Sequence, residues 1–235
     1  MFTHSNPIVM KKVLILILGF GLAMSSFADN SPYLKPTSKS SSLKKNDGGE
    51  KCFDEGTHIV NLGFGFGRTY HSVYKVAGYK AGSTPAISLS YEQAWPKKLG
   101  PGFLGVGAYL GHQYSFYRYD YTRWDNNNNG WNTYYSHHKW NYFMLAARAA
   151  YHWDVLNSKN AEVYGGIIAG LRFQIHDYAT NDPDKKDPYS YNESFIYPAW
   201  SVFAGARWYF SKNVGLFAEV GYGISYLTGG FSFKF

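Results

Sequence analysis

The sequence predicts an all-β fold: an eight-stranded antiparallel up-and-down transmembrane β-barrel with a filled polar lumen. Three observations predict it. Apolar residues alternate with polar residues or glycine in eight successive segments, the connections alternate between short and long, and the last segment is an aromatic strand. The chain has 235 residues, 20% of them aromatic, and a mean hydropathy of −0.33. A barrel of alternating strands has a low mean hydropathy of this kind, because the polar face of each strand offsets the apolar face that contacts lipid.

The N-terminus has the three parts of a secretory signal peptide. Lys11 and Lys12 precede an apolar run that is too short for a comfortable membrane helix, and small residues at Ser26 and Ala28 mark a cleavage site. Residues 1–28 are therefore assigned to the signal peptide. Met10 is a second candidate start, because the lysines follow it directly.

The remaining chain divides into a tail and a barrel. Residues 29–55 are rich in Ser, Lys, Asn and Asp without an apolar period, which predicts a flexible periplasmic tail. Residues 56–235 form the predicted barrel. Removing Lys11 and Lys12 lowers the formal charge from +7 to +5, and this modest balance gives no indication of nucleic-acid binding. Cys52 is the only cysteine, so an intramolecular disulfide is excluded.

Two-residue periodicity defines the strands and leaves connections of two kinds. The predicted strands cover about 57–68, 85–95, 102–117, 139–153, 161–176, 195–210, the segment from 214, and 226–235. Long polar connections lie near 69–84, 118–138 and 177–194, and short ones at 96–101, 154–160 and 211–213. Short turns at one end and long loops at the other are typical of bacterial outer-membrane barrels, whereas a soluble sandwich or lipocalin needs no such asymmetry.

Four charged residues on the non-aliphatic face predict a packed lumen. Glu92, Arg148, Arg207 and Glu219 fall at similar depth and point to the same side, two of each sign. A central Arg on a lipid-facing surface costs about 2–4 kcal/mol, whereas inside a small barrel the four charges can pair. Glycines on the same face leave room for large side chains. Because eight strands enclose little more than their own side chains, an open channel is not expected.

The C-terminal stretch looks like the assembly signal of outer-membrane barrels. Its pattern is a polar residue, a glycine and two aromatic residues, at Thr228, Gly230, Phe233 and Phe235. A turn at 228–229 would leave a last strand of about six residues, and a spanning strand needs about 9–11. The sequence therefore predicts a turn near Ile224 and a closing strand at 226–235, with Phe235 at the membrane interface.

Taken together, Thr57–Phe235 resembles the small eight-stranded outer-membrane barrels of the OmpA/OmpX type. The resemblance rests on the signal peptide, the eight alternating strands, the lumen charges and Phe235. It implies the outer membrane of a Gram-negative bacterium as location. It also implies outer-membrane lipid, lipopolysaccharide and the barrel-assembly machinery as partners, and no cofactor. It is specific for fold and location and weak for activity.

The connection at 118–138 is unusually aromatic. Its candidate binding residues are Tyr119, Tyr121, Trp124, Trp131, Tyr134 and Tyr135. Exposed aromatic residues can form a recognition surface for a glycan or a protein. They can equally extend the strands above the membrane as part of an aromatic girdle. The sequence leaves both interpretations open.

Catalytic and metal sites are not predicted. Some eight-stranded barrels modify lipid A, and His71-Ser72, His112, His137-His138 and His176 lie in or beside long connections. No strand shows His and Ser two residues apart on an outward face, so no catalytic residue is assigned. Asp125–Gly130 matches the front half of a calcium loop, but Ser136 stands at the twelfth position instead of Glu, which favours an Asn-rich hairpin turn.

The function predicted is that of a non-enzymatic integral outer-membrane protein with a structural or surface-interaction role and long extracellular loops. The alternatives are a narrow porin-like channel and a lipid-A-modifying enzyme. The ligand of the loops is not predicted.

Overall fold

The computed structural model describes residues 51–67, 79–125, 129–185 and 193–235. The predicted signal peptide and most of the predicted tail lie outside these residues. Within the described ranges, no helix combines the length and hydrophobicity needed to cross a membrane.

Nine strands make up most of the described chain, together with one short 3₁₀ helix at Pro183–Lys185. They are β1 (His58–Phe66), β2 (Tyr79–Ser83), β3 (Ala86–Leu99), β4 (Gly102–Asp125), β5 (Gly130–Trp153), β6 (Ala161–Thr180), β7 (Glu193–Tyr209), β8 (Val214–Gly221) and β9 (Leu227–Lys234). Strands β2 and β3 both pair with β4 and are separated only by Thr84 and Pro85, so they share one place in the wall. All pairs are antiparallel, and β1 pairs with β9, which closes a ring of eight.

The outer surface of the ring is an apolar belt. Large apolar side chains alternate with buried residues along the strands and are exposed: Leu62, Phe64, Ile87, Leu89, Ile167, Leu171, Trp200, Val202, Leu216, Val220, Phe231 and Phe233. Exposed aromatic residues mark one rim, which holds the short turns: Trp95, Trp153, Trp208, Phe210 and Phe235. An apolar surface of this extent is unfavourable in water and suits contact with lipid, with the aromatic rim at the interface. The chain is a transmembrane β-barrel.

The inside of the ring is filled by side chains in two layers. A polar layer lies toward the rim with the short turns, called the turn end here. An apolar layer follows toward the opposite, hairpin end and includes Tyr109, Met144, Ile168, Phe203 and Ile224. The two layers together leave a packed lumen, as expected for eight strands.

The wall of the barrel has very different heights on its two sides. Strands β4 and β5 remain paired over 24 residues each, up to Asp125 opposite Gly130, and β6 continues to Thr180. Strands β8 and β9 have only eight residues each. The name raised wall is used for β2, residues 113–125 of β4, 130–142 of β5 and 174–180 of β6.

The raised wall corrects the prediction of a loop at 118–138. Apart from 126–128, which lie outside the described residues, that segment belongs to the β4–β5 hairpin. The predicted loop at 177–194 is likewise shortened at both ends, by β6 and β7. Above the membrane the outward face no longer needs to be apolar. The two-residue hydrophobic period therefore ends there, although the backbone pairing continues.

The last hairpin turns where the sequence predicts. The N–H of Gly221 donates to the carbonyl of Tyr226 at 2.9 Å, and β9 begins at Leu227. Leu227, Phe231 and Phe233 are exposed on the outer surface, and Ser232 between them is buried. The register of the closing strand is therefore as expected.

Candidate functional site

The structure brings the four predicted lumen charges into one cluster. Arg148 Nε donates to Glu92 Oε1 at 2.7 Å, and its two terminal nitrogens donate to the oxygens of Glu219 at 2.6 and 3.1 Å. Arg207 Nη2 lies 3.7 Å from Glu92 Oε1. All four residues are buried. Paired charges of this kind stabilise one another where they are buried, although Arg207 Nε and Nη2 have no hydrogen-bond partner in the described part of the chain.

Two further residues belong to this cluster. Glu162 accepts a hydrogen bond from Arg207 Nη1. The ring of His152 bridges two carboxylates, with Nδ1 at 3.0 Å from Glu162 Oε2 and Nε2 at 3.0 Å from Glu92 Oε2. With both nitrogens protonated, His152 donates to both carboxylates. The cluster, named the lumen cluster here, then holds three cations and three anions.

Sequence reasoning missed Glu162 and His152, although a signal was present. His152 lies four residues after Arg148 in β5, on the same face of the strand. Glu162 in β6 lies on the inward face, opposite Arg207 in β7. The prediction selected charged residues at similar depth with two of each sign. This selection left out His152 and Glu162.

Aromatic rings and a glycine complete the packing of the lumen cluster. Tyr164 Oη donates to Glu219 Oε1 at 2.8 Å, and the guanidinium of Arg207 lies 4.5 Å from the centre of the Tyr164 ring. The guanidinium of Arg148 lies 3.9 Å from the centre of the Phe203 ring. A Cβ at Gly205 would lie 2.8 Å from both Tyr164 and Glu219, so glycine there makes this arrangement possible. The cations are therefore held by ring faces as well as by carboxylates.

A segment before β1 covers the cluster at the turn end. Phe53 stacks on His152 with ring centres 3.7 Å apart and planes at 12°. Lys51 pairs with Asp154, and Lys234 Nζ donates to the carbonyl of Cys52 at 3.4 Å. Cys52 and Phe53 are buried, whereas the sequence assigned both to a flexible tail. Residues 51–55 pack as part of the barrel, because Phe53 supplies the apolar cover that the cluster otherwise lacks.

The space left at this end is small. A cavity of about 20 Å³ lies between Phe53, His152 and Glu162, which is room for about one water molecule. This volume fits a solvated crevice better than a site for an organic ligand.

At the hairpin end, several of the predicted binding aromatics pack against other side chains of the raised wall or of the segment that follows it. Tyr119 stacks on Tyr79 and on Tyr121, with ring centres 4.5 and 5.5 Å apart. Tyr121 Oη donates to the buried carboxylate of Asp182, and Tyr134 is itself buried. These tyrosines stiffen the wall, which favours the extended-strand interpretation for them.

The tip of the hairpin remains exposed. Trp124 and Trp131 face each other across the two strands in a T-shaped pair, with ring centres 5.8 Å apart. Their exposed fractions are 45% and 70%. Tyr135 lies lower on the same outer face, under the guanidinium of Arg118 at 4.7 Å. Of the six predicted aromatics, the tryptophan pair is the most available for contact.

The histidines considered for catalysis lie in different surroundings. His71 and Ser72 fall outside the described residues. His112 Nε2 lies 3.4 Å from Asn141 Oδ1 on the outer face. His138 Nδ1 and His176 Nε2 are 3.0 Å apart on the inner face of the raised wall, and Trp140 lies nearly parallel to both rings. No group of three or more metal-ligating side chains occurs in the part of the chain that the structure describes.

The residues of the predicted assembly signal all lie in or beside β9. Gly230 lies opposite Gly63 in β1, and a Cβ there would lie 2.0 Å from the carbonyl oxygen of Leu62. Thr228 Oγ1 lies 2.8 Å from Ser225 Oγ on the inner side. Phe233 and Phe235 point outward. Their role in assembly stays a prediction.

Comparisons with known proteins find similarity in structure alone. No family model matches the sequence, and no curated protein does. The outer membrane protein OprG from Pseudomonas aeruginosa is similar with 14% identity and a TM-score of 0.45, over 80% of this chain and 98% of OprG. The attachment invasion locus protein Ail of Yersinia pestis is similar with 12% identity and a TM-score of 0.36, over 77% of this chain and all of Ail. A designed transmembrane β-barrel has 13% identity and a TM-score of 0.33, over 78% of this chain and 98% of the design.

These similarities concern the architecture only. The fold of this chain rests on its own strand pairing, and the resemblance to the OmpA/OmpX type stays a prediction.

Proposed function

We propose that this protein is a non-enzymatic integral protein of the outer membrane of a Gram-negative bacterium, whose barrel carries a surface-contact wall outside the cell. In this orientation the turn end faces the periplasm and the hairpin end faces the exterior. The observation that carries the proposal is the continuation of the paired strands far beyond the apolar belt.

The height of the raised wall supports a role outside the membrane. From Phe116, the last residue of the apolar belt on the outer face of β4, to Asp125 the strand rises roughly 30 Å along its own axis. A spanning strand needs only about 9–11 residues. A barrel that served only as a membrane anchor would not need such a wall.

The wall is rigid enough to present a contact surface. Asp182 is buried and receives hydrogen bonds from Tyr121 Oη and, at 3.0 Å, from Arg123 Nη2. These bonds fix the segment after β6 against the hairpin. A pre-formed surface loses little conformational entropy on binding, and exposed tryptophans are frequent contributors at its centre.

The experiment uses the whole barrel in phosphatidylcholine nanodiscs, screened on arrays of glycans and of extracellular proteins. Replacing both Trp124 and Trp131 with Ala should reduce binding to any hit at least tenfold, in line with the loss of tryptophans central to an interface. The control variant is Trp95→Ala, at the opposite rim. Hits that bind both variants equally, or an array without hits, would contradict the proposal.

A separate measurement addresses catalysis. Expression in a bacterial strain with known lipid A should leave the lipid A mass unchanged. A new lipid A species that depends on this protein would overturn the non-enzymatic part of the proposal.

A further inference from the structure

A row of basic residues crosses three neighbouring strands on the outer face of the raised wall. Lys80 of β2 lies opposite Arg118 of β4, which lies opposite His137 of β5. Lys139 lies on the same face of β5, one step closer to the apolar belt. These four residues are named the basic row.

Carboxylates compensate this charge only in part. Asp120 Oδ1 accepts a hydrogen bond from Arg118 Nε at 2.8 Å, and its other oxygen lies 3.6 Å from Lys80 Nζ. Asp177 lies opposite Lys139 on β6. Three permanently charged bases thus share two carboxylates, with His137 between them.

The side chains of the row repel one another across the strands. Like charges directly opposite each other destabilise a sheet. Burial lowers the pKa of His137, and the positive charges of Lys139 and Arg118 lower it further. Because three bases share two carboxylates, an anion that lies against the row would compensate the remaining positive charge.

The height of the row indicates which anion can reach it. Directly toward the membrane on the same outer face lie Tyr114 and Phe116 of β4 and Phe143 of β5. The row therefore begins where the apolar belt ends. Lipid head groups occupy this level, with their phosphates beside the protein surface.

We propose that the basic row binds the phosphate of anionic lipid head groups in the leaflet at the hairpin end. Lys80 is the most accessible partner for it, with a side chain 76% exposed. The bound phosphate would bridge β2, β4 and β5 at the base of the raised wall. This lipid contact is independent of what the tip of the wall binds.

The experiment measures lipid selectivity by electron spin resonance in phosphatidylcholine vesicles that contain the folded barrel. Spin-labelled phosphatidylglycerol should associate about two- to fivefold more strongly than spin-labelled phosphatidylcholine. The double variant K80Q/K139Q should bring this ratio close to one. K80Q alone should lower it in part and serves if the double variant does not fold.

The matched control is K97Q/K212Q, which removes the same charge at the turn end, where both lysines are exposed. It should retain most of the selectivity. Equal loss in both double variants, or no loss in K80Q/K139Q, would overturn the proposal. Inorganic phosphate at constant ionic strength should not displace the labelled lipid, and displacement would assign the site to a free anion instead.

Discussion

Arg148 holds the lumen cluster together at the level of single residues. It contacts Glu92 on one side and Glu219 on the other, while its flat face rests on Phe203. At a buried site these attractions are stronger than at a surface. The same environment makes the loss of one partner expensive, because the other charges stay buried.

Replacing Arg148 with Met is expected to lower the free energy of unfolding by about 3–5 kcal/mol, since Glu92 and Glu219 lose their shared cation. Urea unfolding in lipid vesicles, followed by tryptophan fluorescence, measures this change. Lys97→Met, at an exposed position, should unfold at the same urea concentration as the unaltered chain. An unchanged midpoint for Arg148→Met would show that the cluster does not stabilise the barrel.

Cys52 is expected to be unreactive while the barrel is folded. Burial raises the pKa of its thiol to about 12. At pH 8 only roughly one thiol in ten thousand is then the reactive thiolate. Labelling with a maleimide should be slow in the folded protein and rapid in urea. C52A/S211C, with its cysteine in an exposed turn, should react rapidly in both states, and equal rates for Cys52 would contradict its burial.

Among the elements, β7 has a free edge that is partly protected. The carbonyl of Val202 accepts a hydrogen bond from the N–H of Tyr222. The backbone N–H and C=O groups of the even-numbered residues of β7 therefore point away from β6, toward the side of the barrel formed by the short strands β8 and β9. Beyond the end of β8 these groups have no neighbouring strand in the described chain. Pro198 lies in this stretch and offers no N–H. Proline on an edge strand interrupts pairing with another chain.

Pro198→Val restores a backbone N–H on the free edge of β7. Because this N–H can pair with another chain, the substitution should increase the fraction of dimers in detergent. Sedimentation velocity measures this fraction. Ala199→Val adds similar bulk at a neighbour whose backbone faces β6, and it should behave like the unaltered chain. A dimer fraction equal in all three proteins would show that Pro198 does not protect the edge.

Sequence patterns predict the strands only where contact with lipid requires one face of the strand to be apolar. Between Leu104 and Leu110, outward side chains contact the membrane, and alternation fixes both strand and register. Between Arg118 and Trp124, both faces meet water or aromatic neighbours, so the period is lost although the strand continues. Phe53 was unpredictable for another reason, because its partner His152 is distant in sequence and no periodicity connects them.

The whole molecule combines a closed lumen with a one-sided wall. The apolar layer around Tyr109 and Ile224 covers the lumen cluster from above, and Phe53 covers it from below. The lumen thus contributes stability, while the proposed contact surface lies on the side of the long strands.

The unaltered barrel is therefore expected to show no stable conductance in planar bilayers. The lumen charges are paired, and side chains of the eight strands fill the interior. The triple variant E92A/R148A/E219A removes three facing side chains and should begin to leak ions. A stable, ion-selective open state of the unaltered chain would contradict the filled lumen and support the channel alternative.

His58 and Phe235 exchange two backbone hydrogen bonds, of 2.9 and 3.0 Å, where β1 meets β9. The first and last strands are therefore hydrogen-bonded to each other like any other neighbouring pair in the ring. A circular permutant that joins Phe235 to Lys51 through a short linker and opens the chain at 211–213 should keep every strand pair. Its heat-modifiable mobility in detergent gels should match that of the parent. Such a permutant would carry both new termini at the β7–β8 turn, at the turn end, which makes that turn a place to attach a second protein without disturbing the raised wall.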